Sequence, residues 1–189
     1  SPNKGGSAWN LSGKSVKNPA TNFIGTTDDQ PLQFRVNNQP AGQIGETNAA
    51  IGNAALQGNT SGALNTAMGR NALAGNTTGN ENTGIGSFAL TSNAGSYNSA
   101  LGSNALLNNT TGSGNTALGN NALQTSIESD NNTAVGINAL NSNTTGYANV
   151  AVGAYALDFN TTGLAHTALG PQALRKNTTG NTNVAIGQA

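Results

Sequence analysis

Few residues in this chain belong to the types that usually carry out chemistry. It has one histidine, seven carboxylates, seven basic side chains and no cysteine among 189 residues. Without cysteine, disulfides, thiolate metal sites and cysteine nucleophiles are excluded together. The histidine, His166, opens the phrase "HTALG", where similar phrases open with Asn. It therefore reads as drift at a repeated position. Glu128 and Asp130 stand two residues apart in "SIESDN". General acid–base work needs two carboxylates whose surroundings drive their protonation apart, whereas this stretch reads as an irregular surface loop. Asp28 and Asp29 in "TTDDQ" read as turn residues. No Asp recurs as a calcium-binding β-roll requires, and "GRNALAG" lacks the Lys-Ser/Thr of a phosphate loop. The sequence predicts no catalytic, cofactor or metal site, and a protein that is not an enzyme.

The elements that carry these residues repeat. Asn, or once His, recurs at Asn48, Asn65, Asn82, Asn98, Asn115, Asn132, Asn149, His166 and Asn183, at intervals of 17 residues with a single 16. We number each unit from this residue as position 1. Eight complete units precede a partial ninth, so the chain divides into an N-terminal β cap or connector, residues 1–47, and a repeat array, residues 48–189. A sustained short period marks a solenoid, in which each unit is stable only against its neighbours.

Comparison among units separates fixed from free positions. Position 5 is Gly in all nine, position 3 is Ala except for Gly84, and positions 8 and 9 read Ala-Leu in every complete unit. Positions 10, 11, 16 and 17 vary and hold most of the array's charges. Gly costs roughly 1 kcal/mol within a helix, and Asn and Thr are weak helix formers. "TA-aliphatic-G" thus reads as a short strand, "x-A-L-x" as a second, and "NTTG" as a turn. The prediction is an all-β parallel β-roll or β-solenoid of ~17-residue repeats, its strands stacked about 4.8 Å apart.

Alternation along a strand assigns faces. The expected core is the aliphatic column at position 4 (Ile51, Met68, Ile85, Leu101, Leu118, Val135, Val152, Leu169) with the Leu column at position 9 (Leu56, Leu73, Leu90, Leu106, Leu123, Leu140, Leu157, Leu174). The Ala column of opposite parity (Ala50, Ala67, Ala100, Ala117, Ala134, Ala151, Ala168) is expected to face other copies of the chain, the alternative being that Ala merely fits a tight bend. Asn at position 12 and Thr at position 14, such as Asn76 and Thr78, would form ladders of the spacing an ice-binding surface needs, but at a turn. Large side chains at variable positions are the candidate surface contacts: Phe88, Tyr97, Tyr147, Tyr155 and Phe159, joined by Trp9 in the N-terminal segment.

Net charge is zero, which provides no electrostatic footprint for nucleic acid or an anionic membrane. No apolar run is long enough for a transmembrane helix. The start "SPNKGGSAWN" lacks signal-peptide regions, and with the abrupt end at "VAIGQA" it suggests a fragment of a longer protein.

The phrases "NTAVG", "NVAIG" and "GxNAL" resemble the head repeats of trimeric autotransporter adhesins. That resemblance covers residues 48–189 and implies a left-handed parallel β-roll with three chains side by side. The 17-residue period is longer than the repeat typical of that family. "NPATNFIGTTDDQPLQFRVNNQPAG" resembles a stretch of bacterial tail-fibre-like surface proteins. Together the resemblances imply an extracellular homotrimeric fibre on the bacterial surface, and the likeness to autotransporter heads implies an outer-membrane anchor through other regions, where a tail-fibre-like protein would be a separately assembled fibre. It would attach to host cells, matrix or another surface, through protein or glycan partners. The alternative is a carbohydrate-binding tip or shaft of a tail-fibre-like protein.

Overall fold

The computed structural model describes residues 26 and 28–188. Eleven strands form one sheet in sequence order. Strands β1 (Leu32–Val36) and β2 (Gln39–Ile44) make an antiparallel hairpin. Its two-residue turn places both Asn37 and Asn38 at positive φ, the conformation whose twist suits a tight hairpin. β2 pairs antiparallel with β3 (Ala49–Ile51). From there β3 to β11 are three-residue strands, one per coil, joined in parallel. Each pairs with the next at the repeat interval, so Thr116, Ala117 and Leu118 face Thr133, Ala134 and Val135. The result is a parallel β-solenoid of about eight turns.

Each coil has one strand. The expected second strand, "x-A-L-x", is a run of tight turns. The Leu of position 9 sits in the left-handed region in every coil, as at Leu123 with φ 52°. That conformation costs an L-residue roughly 1–2 kcal/mol, while full burial of Leu returns about 1.5–3 kcal/mol. Its N–H is also retained, donating to the next coil at 3.0 Å from Leu123 N to Ala139 O. Burial therefore prevails, and the turn folds both the Ala of position 8 and the Leu of position 9 inward.

This geometry reverses the expected faces. Only the middle residue of each strand points into the coil: Ala50, Ala67, Ala100, Ala117, Ala134, Ala151 and Ala168 are buried within a single chain and are not available to a neighbour. Position 4 points outward: Ile51, Met68, Leu101, Leu118 and Val152 are exposed, while Ile85, Val135 and Leu169 are half-buried. The Leu column is core from Leu56 to Leu157 as expected, and Leu174 packs partly buried against it. The interior of one coil holds a single column of large side chains. Position 9 supplies it, the Ala residues of positions 3 and 8 fill the remaining apolar space, and the second large column is left outside.

The other half of the interior is amide. Position 1 is fully buried from Asn65 to His166. Within an Asn coil its Nδ2 donates to the position-15 carbonyl, as Asn132 does to Gly146 O at 2.9 Å. Its Oδ1 accepts the backbone N–H of position 1 one coil on, as Asn132 Oδ1 does from Asn149 N at 2.9 Å. Position 12 donates to the same carbonyl, Asn143 Nδ2 to Gly146 O at 2.8 Å. These buried polar groups thus find partners, as burial demands. Asn76 is fully buried, so the position-12 ladder lies inside the coil and forms no outer ice-binding face. The 16-residue unit from Asn82 shortens between positions 12 and 15, since Asn93 and Gly95 keep both roles.

Candidate interaction surface

The outward face of the parallel sheet is built from positions 2 and 4. Position 2 is mostly Thr, Ser or Val, and position 4 is always aliphatic or Met. The strands place one position-4 side chain per coil, in register, so these side chains form an unbroken stripe roughly 40 Å long. Leu101 is 52% exposed and Ile51 49%. A continuous apolar stripe of this kind exceeds the single exposed hydrophobics that need no explanation, and it marks a contact surface.

Gly at position 5 closes the strand at its outer edge. Gly102 has φ 139°, and a Cβ placed on it would stand 2.5 Å from Gly119 O of the next coil. The stripe is therefore bordered by bare backbone that lets coils stack closely.

The predicted surface aromatics occupy separate places. Phe88 is half-buried under the Arg70 guanidinium, 4.4 Å from its ring centre. Tyr97 and Tyr147 are exposed in units three coils apart. Among the described residues, only Tyr155 and Phe159 are brought together. Arg175 lies 5.0 Å from the first ring and 5.3 Å from the second, while its Nε donates to Asp158 Oδ2 at 3.2 Å. The signal for this cluster lies in the spacing, since Asp158 and Arg175 are 17 residues apart and so occupy one column on adjacent coils. Trp9 lies outside the described residues.

Asp28, Asp130 and His166, first considered for chemistry, hold structural hydrogen bonds. Asp130 Oδ1 accepts the Ser113 N–H at 2.7 Å, one of a column in which a position-16 side chain caps the preceding coil, as Asn80 caps Ala63 N. Glu128 is exposed. Asp28 Oδ1 accepts from Gln30 N at 3.3 Å within a turn. His166 takes over the backbone links of Asn to both neighbouring coils: its N–H donates to Asn149 Oδ1 at 3.0 Å, and its Nδ1 accepts from Asn183 N at 3.1 Å. An open cleft of about 410 Å³ lies beside the hairpin, lined by Asp28, Asp29, Leu32, Ile44 and Glu46 among others. No helix of the described residues is long and apolar enough to cross a membrane.

No protein-family model, curated protein or solved structure matches the chain.

Proposed function

We propose that the chain is a structural and adhesive segment of a homotrimeric fibre on the bacterial surface, in which three solenoids meet along their position-4 stripes. The exposed stripe carries the reading. Covering a half-exposed aliphatic side chain is worth roughly 1 kcal/mol, so the stripe offers each chain on the order of 10 kcal/mol of association. The resemblance to autotransporter heads supports the number three, the left-handed roll and the extracellular location. The short, regular coil supports a rod whose work is to hold contact residues away from an anchor elsewhere and to attach to a host or other surface. A tail-fibre-like shaft that binds carbohydrate is the second reading, favoured by the clustered aromatics Tyr155 and Phe159.

Sedimentation equilibrium tests the assembly. The native chain is expected as a trimer, and Leu101→Glu with Leu118→Glu as a monomer that keeps its β circular dichroism. A native chain that sediments as a folded monomer at micromolar concentration overturns the proposal. Adhesion is read separately, as retention of beads coated with the trimer on host matrix and on cells.

A further inference from the structure

We propose that the corner of the last two complete coils is a binding site for an acidic saccharide, with a pyranose ring packed on Phe159 and its carboxylate held by Arg175 and Lys176. The proposal is independent of how the chains assemble. It supplies a ligand class for the attachment reading.

The first argument is the break in the repeat. Positions 10 and 11 are uncharged in the first six units, with pairs such as Gln57-Gly58, Thr91-Ser92 and Asn141-Ser142. In the last two complete units they become Asp158-Phe159 and Arg175-Lys176. The array has only three basic residues, Arg70, Arg175 and Lys176, and two of them lie side by side here. Stacking of coils brings all four residues to one corner within about 5 Å along the rod.

The second argument is how the group is held. Asp158 is buried and takes the guanidinium through Nε alone. Among the described residues, neither Nη of Arg175 has a hydrogen-bonding partner. Their paired N–H groups form the fork that suits a carboxylate. Asp158 and the rings of Tyr155 and Phe159 thus fix the guanidinium in advance, which lowers the ordering cost of binding. Lys176 is exposed and adds a second cation, so the corner carries a net positive charge against the single carboxylate of Asp158.

The third argument is exposure. Phe159 remains 45% exposed, although coil stacking requires no large apolar residue at position 11, where Gly58 and Gly75 serve elsewhere. An exposed ring beside hydrogen-bonding groups provides the amphipathic contact a sugar needs, with an apolar face against the ring and polar groups at the rim.

Saturation-transfer NMR and calorimetry of the whole chain with glucuronate- and sialate-terminated oligosaccharides test the site, against a neutral glucose-terminated counterpart. At least one acidic sugar is expected to bind, about tenfold or more tightly than the neutral one, as one charge-assisted contact would give. Phe159→Ala and Arg175→Gln should each weaken it by about tenfold or more. Lys176→Gln, at an exposed side chain, should weaken it several-fold with no change in circular dichroism, and Trp9→Ala should leave it unchanged. The proposal is overturned by no binding of any acidic sugar, by equal binding of the neutral one, or by insensitivity to both Phe159→Ala and Lys176→Gln. Equal binding of polyglutamate also overturns it, in favour of a surface for anions generally. Sedimentation of the same samples reports assembly on its own, so failure of this site and failure of the trimer are separate results.

Discussion

The hydroxyls of Ser126 and Ser129 are hydrogen-bonded to each other inside the coil, at the one unit where Asn at position 12 and Gly at position 15 are replaced together. One coil earlier stand Asn109 and Gly112. A Cβ on Gly112 would lie 2.5 Å from Asn109 Oδ1, so a side chain at position 15 excludes Asn at position 12. The exchange interrupts a ladder: Asn109 donates to Asn93 Oδ1 at 2.7 Å, but its own Oδ1, buried, receives nothing from Ser126.

The first prediction is a double-mutant cycle on this pair. Ser126→Asn alone should destabilise by about 1–3 kcal/mol, because the amide meets the Ser129 side chain. Ser129→Gly alone should destabilise, since it unpairs the Ser126 hydroxyl. Together they should recover, with a coupling of about 1–3 kcal/mol, because the introduced amide gives Asn109 Oδ1 a donor. Additive effects in urea unfolding would show that the two positions do not share one space.

Leu123 offers a contest between backbone and core. Its φ of 52° would suit Gly, yet the side chain is fully buried. Leu123→Gly should therefore destabilise by at least the roughly 2–5 kcal/mol typical of removing a buried Leu, despite relief of about 1–2 kcal/mol of backbone strain. A melting temperature equal to or above that of the native chain would reverse the ranking.

His166→Asn should stabilise the array. In the other coils the position-1 amide donates to the position-15 carbonyl, as Asn149 does to Gly163 O at 2.9 Å. The His166 ring instead meets the Asn177 amide, its Nε2 2.9 Å from Nδ2. Restoring Asn allows a bond to Gly180 O while keeping the acceptor for Asn183 N, a gain of about 1 kcal/mol. Slower hydrogen exchange at Asn183 is the readout, and faster exchange would show that the ring holds the coil better than the amide.

The period, the strand at positions 2–4, the parallel stack and the core column of Leu at position 9 were all legible, because repetition compares each position with itself. The faces were not. Alternation fixes that Ala117 and Leu118 point in opposite directions, but which one points inward depends on the other wall of the coil. That wall reads as a strand in the sequence, because Ala122-Leu123 has no residue that favours the left-handed turn at Leu123; the one local signal is Asn121, left-handed itself and two residues ahead of it. The Asn columns also look like turn chemistry, although Asn132 and Asn143 are interior residues, since an amide that bonds a neighbouring coil resembles in sequence one that bonds its own turn. Of the surface cluster, the aromatics are visible as large residues at variable positions. The Arg175–Asp158 tie shows only as a shared column, which says nothing of how the two side chains meet.

Ala117 and Leu118 supply the sharpest test of the faces, because they are adjacent and the hydrophobicity of each misleads. Ala117 is 0% exposed and Leu118 39%. Ala117→Asp forces a carboxylate into a space filled by Ala and Leu methyl groups. No partner is provided there, so it should cost at least several kcal/mol and open the array to protease near β7 (Thr116–Leu118). Leu118→Asp leaves its charge in water and should keep the coil folded, with native circular dichroism and protease resistance in the dissociated chain. Equal damage from the two would mean that position 4 is packed inside the coil, and unfolding by Leu118→Asp alone would restore the faces that alternation by itself suggests.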